Sequence, residues 1–399
     1  MRSLSTIQRE KMYLIHLLAT VLHAAQPQKP PENLDWATLY KLSTKHCVAN
    51  MVTYSLSKLS HDSKPPHEIL VQFQNDCKKG MAKEATQHIT VEQVLKTFEE
   101  NHIACMPLKG YLIKYLYPQP DMRMMSDVDI LFRHEQTEQV KKLLLGLGFT
   151  VEHEGGNHDV YYKKPFMNIE MHRRLIAENS PYSDYLKQVW GRARLKTDGQ
   201  YIYELSQEDF FIFIMMHLTK HYAKAGTGIR SIMDIWVYNN RYRSEMDWNY
   251  IQAELEKVQL WEFTQNICGL GEVWFGEIQS NELYDEMSEY IFSSGVYGTK
   301  KHSLVSAMNT SASKKRSIRA AKQLYRLKLF FPGLTAMKTT YPFLSVLPFL
   351  LPLCWVLRGV KSLLFKRAHT FQMIHQVHSV SEEDRARQRN LHKNTGLLK

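Results

Sequence analysis

Cysteine is scarce and scattered in this chain. Cys47, Cys77, Cys105, Cys268 and Cys354 are odd in number, and none has the CxxC or Cys/His spacing of a zinc site. That argues against a disulfide framework and leads us to expect a reducing compartment, the cytoplasm. No apolar leader opens the chain, because Lys11, His16 and His23 interrupt it, so a secretory signal is not expected. Acidic residues are nearly missing from the last fifth: residues 313–399 hold 3 Asp/Glu against 17 Lys/Arg. The first 312 residues hold 37 Asp/Glu against 34 Lys/Arg, so the net charge of +11 belongs to the tail. A slightly acidic body lacks the clustered cations that phosphate backbones need, and no specific nucleic-acid partner is expected. The basic tail instead suits an anionic membrane surface, which would place the protein peripherally at the membrane's inner face.

Uninterrupted apolar runs are also lacking, with one near exception. Tyr341–Leu357 is uncharged, bounded by Lys338 and Arg358, and about as long as the shortest spanning helices. Pro342, Pro348 and Pro352 argue against one straight helix there. Three readings stay open: a re-entrant or interfacial segment, a helix pair packed on the protein's own body, or a true span. Residues 380–399 are polar and read as disordered.

Helical periodicity dominates what is present. Residues 5–26, 34–60 and 67–101 read as helices separated by proline breaks, with no chemistry visible in them. The period then changes. Short strands are expected at 103–108, 123–132, 149–154, 159–163 and 168–172, with helices after Gly110 and over 135–146. Residues 201–310 return to helices, one of them opened by the capping pattern Ser206-Gln207-Glu208-Asp209. The division expected is a helical region 1–101, an α+β module 102–200, a helical domain 201–310, a basic and apolar tail 311–379, and the polar end 380–399. The basic helix of that tail is expected over 314–331.

The chemistry centres on Ser126-Asp127-Val128-Asp129. On a strand, Asp127 and Asp129 point to one face, and like charges side by side repel. A divalent cation removes that conflict, and Mg²⁺ favours carboxylates together with substrate phosphates. Glu170, in Ile169-Glu170-Met171-His172, lies between apolar neighbours on a later strand. If that strand pairs with the first, three carboxylates form a two-metal site; otherwise Glu170 alternates out to solvent. Lys109-Gly110 ends a strand and opens a helix, a place where backbone N–H groups approach phosphate oxygens. Arg123 could neutralise triphosphate charge or pair with Asp127. His172 could orient the Glu170 carboxylate, touch the nucleotide, or simply end a strand. Asp234 caps its helix or pairs with Arg230 one turn away.

The set Leu108-Lys109-Gly110, Arg123-x-x-Ser126-Asp127-x-Asp129 and Ile169-Glu170-x-His172 resembles the nucleotidyltransferases of the DNA polymerase β type. More closely it is similar to an uncharacterised bacterial nucleotidyltransferase family that often accompanies polysaccharide-biosynthesis genes. The resemblance implies an α+β fold, a small mixed sheet with flanking helices, plus N-terminal and C-terminal helical regions. It implies an NTP substrate, two Mg²⁺ ions on Asp127, Asp129 and Glu170, and nucleotide contacts from Lys109, Gly110, Arg123, Ser126, His172 and Asp234. For Asp234 it implies a further role, as an acceptor-side base. The implied reaction moves a nucleoside monophosphate, AMP first among candidates, to a sugar, glycan precursor or protein. Where the wider superfamily has Gly-Ser or Gly-Gly at the turn, this chain has Gly110-Tyr111 and lacks the hydroxyl. Two alternatives remain beside this: a non-catalytic, membrane-associated assembly factor that keeps the fold, and a toxin-like or tRNA nucleotidyltransferase.

Overall fold

A computed structural model describes residues 6–176, 181–197, 199–309, 317–365 and 367–398. The chain forms two compact units. One comprises Met1–Lys220 with Thr227–Val296, and the other His221–Gly226 with Tyr297–Lys399.

The first unit begins with helices α1 (Thr6–Leu22), α2 (Trp36–Lys45), α3 (Ala49–Ser57) and α4 (His67–Glu100). Asp35 opens α2 by accepting the Ala37 and Thr38 N–H groups, as a short acidic side chain does at an N-cap. The single helix expected over 34–60 is two, because Cys47 takes a left-handed backbone between them (φ 53°). Helix α4 starts at Pro66, and its last turns bury Val91, Val94, Leu95 and Phe98.

Those four side chains cover one face of a five-stranded mixed sheet. The strands are β1 (Cys105–Pro107), β2 (Val128–Phe132), β3 (Thr150–His153), β4 (His158–Lys163) and β5 (Met167–His172), in spatial order β1-β2-β5-β4-β3. β2 and β5 run parallel, and the other neighbours are antiparallel. Between β2 and β3, α5 (Thr137–Gly146) adds Val140 and Leu144 to the same core. Strand alternation sorts the residues. Val128, Ile130 and Phe132 of β2, and Met167, Ile169 and Met171 of β5, enter this core. Asp129 and Leu131, and Glu170 and His172, therefore share the opposite face. Further helices complete the unit, among them α6 (Gln207–Lys224), which runs on into the second, and α7 (Ile229–Tyr242).

The second unit is helical and corrects two expectations. Residues 380–399 are not a disordered end. Ser381 and Asp384 form a reciprocal capping box that opens α8 (Glu382–Asn394). Arg385 is buried there, with Nε on Asn309 Oδ1 at 3.2 Å and a guanidinium nitrogen on Glu382 Oε2 at 3.0 Å. The apolar run is not a span either. Its prolines break it into short 3₁₀ turns at Pro342–Ser345 and Pro348–Leu350 before a helix over Leu351–Phe365. No helix among the described residues is long and apolar enough to cross a membrane. The expected start of the tail at 311, and the first residues of its basic helix, lie outside the described residues; the described part of that helix is Ile318–Phe330.

Candidate active site

The parallel pairing of β2 and β5 sets Asp129 directly opposite Glu170. Asp127 precedes β2 by one residue and is two residues from Asp129 along the chain. Three carboxylates thus meet on the sheet face that the core does not use.

An ammonium and an imidazole stand among them. Lys109 Nζ and His172 Nε2 each lie 2.7 Å from the same oxygen, Asp129 Oδ1. His172 Nε2 is also 3.4 Å from Glu170 Oε2, and His158 Nε2 is 3.7 Å from that oxygen. The two imidazoles lie 4.9 Å apart, centroid to centroid. Of the roles open to His172, the geometry matches that of an orienting group between two carboxylates.

Electrostatics separate the three acids. Burial by itself pushes the Asp129 carboxyl up, but Lys109 and His172 outweigh it and hold the group well below the usual carboxylate range. Asp127 goes the other way: burial raises it, and repulsion from Asp129 and Glu170 adds to that. The His172 hydrogen bond lowers Glu170 against opposing burial and repulsion from Asp129. Burial alone would depress His172, yet its bonds to Asp129 and Glu170 raise it.

Lys109 and Gly110 form the turn after β1. Lys109 holds a positive φ of 48°, and Gly110 lies beneath the Arg123 guanidinium, where a Cβ would collide. Arg123 pairs with Asp234 rather than with Asp127. It donates through Nε (3.0 Å) and a terminal nitrogen (2.8 Å) to both oxygens of Asp234 on α7, and Tyr117 donates to the same carboxylate at 2.8 Å. Asp234 is therefore an anchor for Arg123. Arg230, one turn before Asp234, donates to the Met124 carbonyl, two residues before half-buried Ser126. These three donors take up most of the carboxylate's accepting capacity and tie it to Arg123, an arrangement that suits a positioning role better than the acceptor-side base read for Asp234.

Sequence reasoning missed Lys83. It sits on α4, where no chemistry was visible, yet its charge reaches Asp127; burial lowers its ammonium pKa and attraction to Asp127 works against that. Nothing local signals this, because helix and strand meet only through the tertiary fold.

A divalent cation is expected here, and Asp127, Asp129 and Glu170 are the residues expected to hold it. Asp127, Asp129 and Glu170 offer hard carboxylate oxygens of the kind Mg²⁺ takes, and Lys109 already stands on Asp129 as a built-in counter-ion. Among the described residues, the group that brings three donor atoms within 4.8 Å of one another is His158, Glu170 and His172. Glu170 belongs to both sets.

The mixed sheet thus brings the paired aspartates, the facing glutamate and the glycine turn together in one place. A family model described as uncharacterised nucleotidyltransferase matches residues 32–276. The chain belongs to that family. No curated protein matches it. Among solved structures it is similar to the antibiotic-resistance factor ANT(2'')-Ia, at 14% identity over 45% of this chain and 90% of that one, with a TM-score of 0.31.

Proposed function

We propose that this protein transfers a nucleoside monophosphate, AMP first among candidates, from an NTP to a hydroxyl or phosphate oxygen of a sugar, a glycan precursor or a protein. The observation that carries this is the register of Asp129 opposite Glu170, with Asp127 two residues before Asp129. An acceptor oxygen attacks the α-phosphorus, the bond to the bridging oxygen breaks, and pyrophosphate leaves with the electron pair. The acceptor's proton, where it has one, goes to a carboxylate. Glu170 is suited to take it, since it is half-buried and bonded to an imidazole that can pass the proton on. Mg²⁺ held by Asp127, Asp129 and Glu170 would supply charge neutralisation for the triphosphate. Lys109 adds a cation beside Asp129, and the Arg123 guanidinium packed over Gly110 adds a second cation at the turn. Arg123, held by Asp234, fixes that turn.

The test is incubation with Mg²⁺ and α-labelled NTPs, following label transfer and pyrophosphate release. Asp127→Asn with Asp129→Asn should abolish both. Transfer that survives the double change sinks this reading.

A membrane contact has its own support. Val346, Phe349 and Val356 are 80%, 72% and 63% exposed, beside Lys338, Arg358 and Lys361. Exposed apolar side chains flanked by cations suit an anionic bilayer surface. Cosedimentation with phosphatidylserine vesicles should be lost when these three residues become Asp. Unchanged binding would rule the contact out. Loss of transfer with vesicle binding intact would favour the non-catalytic assembly role.

A further inference from the structure

A cavity of about 380 Å³ opens at the carboxyl ends of β2 and β5. Its wall continues the face that carries the acids. Leu131 is two residues beyond Asp129, about 7 Å along β2, and Arg174 lies two residues beyond His172, just past the end of β5. Leu131 is buried yet stands outside the core under the sheet, as this placement requires.

The lining has two parts. Leu131, Val189 and Trp190 give an apolar wall. Arg133, Arg173, Arg174 and Lys187 give four cations against one acid, Glu135. Arg173 is committed to Asp159 by an ion pair. Arg133 lies over the Trp190 ring, 4.2 Å from its centroid, which fixes its guanidinium at the rim. This positive excess sits in a body whose own balance is slightly acidic. The volume suits a small molecule and is too small for a polymer segment.

We infer that this cavity is the acceptor pocket, and that the acceptor is a small molecule carrying a phosphate group. The inference rests on the transfer reading above for the word acceptor, while the binding of a phosphorylated molecule stands apart from it. Guanidinium groups recognise phosphate through paired N–H donors, and the apolar wall takes the rest of the molecule. The bound acceptor would then extend from Arg133 and Arg174 toward Asp129 and Glu170.

Calorimetry on the full chain separates the outcomes without turnover. The probes are glucose 1-phosphate, glucose, inorganic phosphate and a non-hydrolysable ATP analogue. Glucose 1-phosphate should bind more tightly than glucose or inorganic phosphate. Arg133→Gln with Lys187→Gln should weaken it by about tenfold or more, and leave the ATP analogue's affinity unchanged. Both side chains are exposed, and an unchanged thermal midpoint confirms that the variant is folded. Equal binding of glucose, equal binding of inorganic phosphate, no binding at all, or an equal loss of ATP-analogue affinity each overturns the proposal. Should sugar-phosphate binding behave as expected while no label is ever transferred, the transfer reading fails and the phosphate pocket stands.

Discussion

Arg123 and Asp234 form a forked ion pair between the loop before β2 and helix α7, with both carboxylate oxygens engaged and both side chains about nine-tenths buried. The Arg123 guanidinium also roofs Gly110. One interaction thus ties the aspartate strand, the Lys109–Gly110 turn and a helix more than a hundred residues downstream.

Breaking that pair should destabilise the first unit. Asp234→Ala leaves a buried guanidinium with no counter-charge, which costs about 3–5 kcal/mol. Arg123→Lys should cost less, because it keeps the charge and loses the fork. Urea denaturation checks both. An Asp234→Ala midpoint equal to the parent's would show that the pair contributes nothing to folding.

Lys109 holds the charge balance of Asp129. Lys109→Gln should lower label transfer roughly a hundredfold, the scale of removing one well-placed charged donor from a reacting centre. Steady-state transfer rates at saturating NTP are the measurement.

His46 and His392 make stability depend on acid. Burial pushes each imidazole from the ordinary 6.5 down to about 4. His46 Nδ1 accepts the Ile229 N–H, a bond that needs the neutral ring. Below pH about 6.5 the unfolded chain takes up protons that the folded chain refuses until about 4. Stability therefore falls as pH drops through that window, by up to about 3 kcal/mol for each ring. His46→Gln should flatten the slope of the unfolding free energy of the first unit between those limits, and an unaltered slope would exclude this origin.

The C-terminal helix α8 should be a folded element in solution. Ser381→Ala removes one half of its capping box and should cost about 1 kcal/mol. Arg385→Ala should cost more, since it strips partners from Asn309 and Glu382. Hydrogen exchange over 382–394 reads both. Full exchange of the parent within seconds would contradict the helix.

What could be read from sequence follows the range of the interactions concerned. Asp127 and Asp129 on one face, and apolar Val128 and Ile130 on the other, are consequences of strand alternation and need only five residues. The helix and strand order around them is similarly local. That Glu170 would lie opposite Asp129 depends on which of several strands pairs with β2, and residue patterns leave that open; the family resemblance supplied it. The Arg123–Asp234 fork and the reach of Lys83 toward Asp127 join residues far apart in the chain, and nothing near any of them announces it. Residues 380–399 failed for another reason. Their polar composition suggested disorder, although Ser381-x-x-Asp384 spells a helix start; a buried Arg385 satisfied by Asn309 and Glu382 overrides composition.

Lys109 adopts a backbone conformation in which glycine is at ease and a side chain is strained, a burden of about 1–3 kcal/mol. The chain keeps a lysine there. Stability and charge placement consequently pull in opposite directions at this one position. Lys109→Gly would relax the turn while stripping buried Asp129 of its ammonium, so relief of backbone strain and loss of the ion pair oppose each other in the same variant.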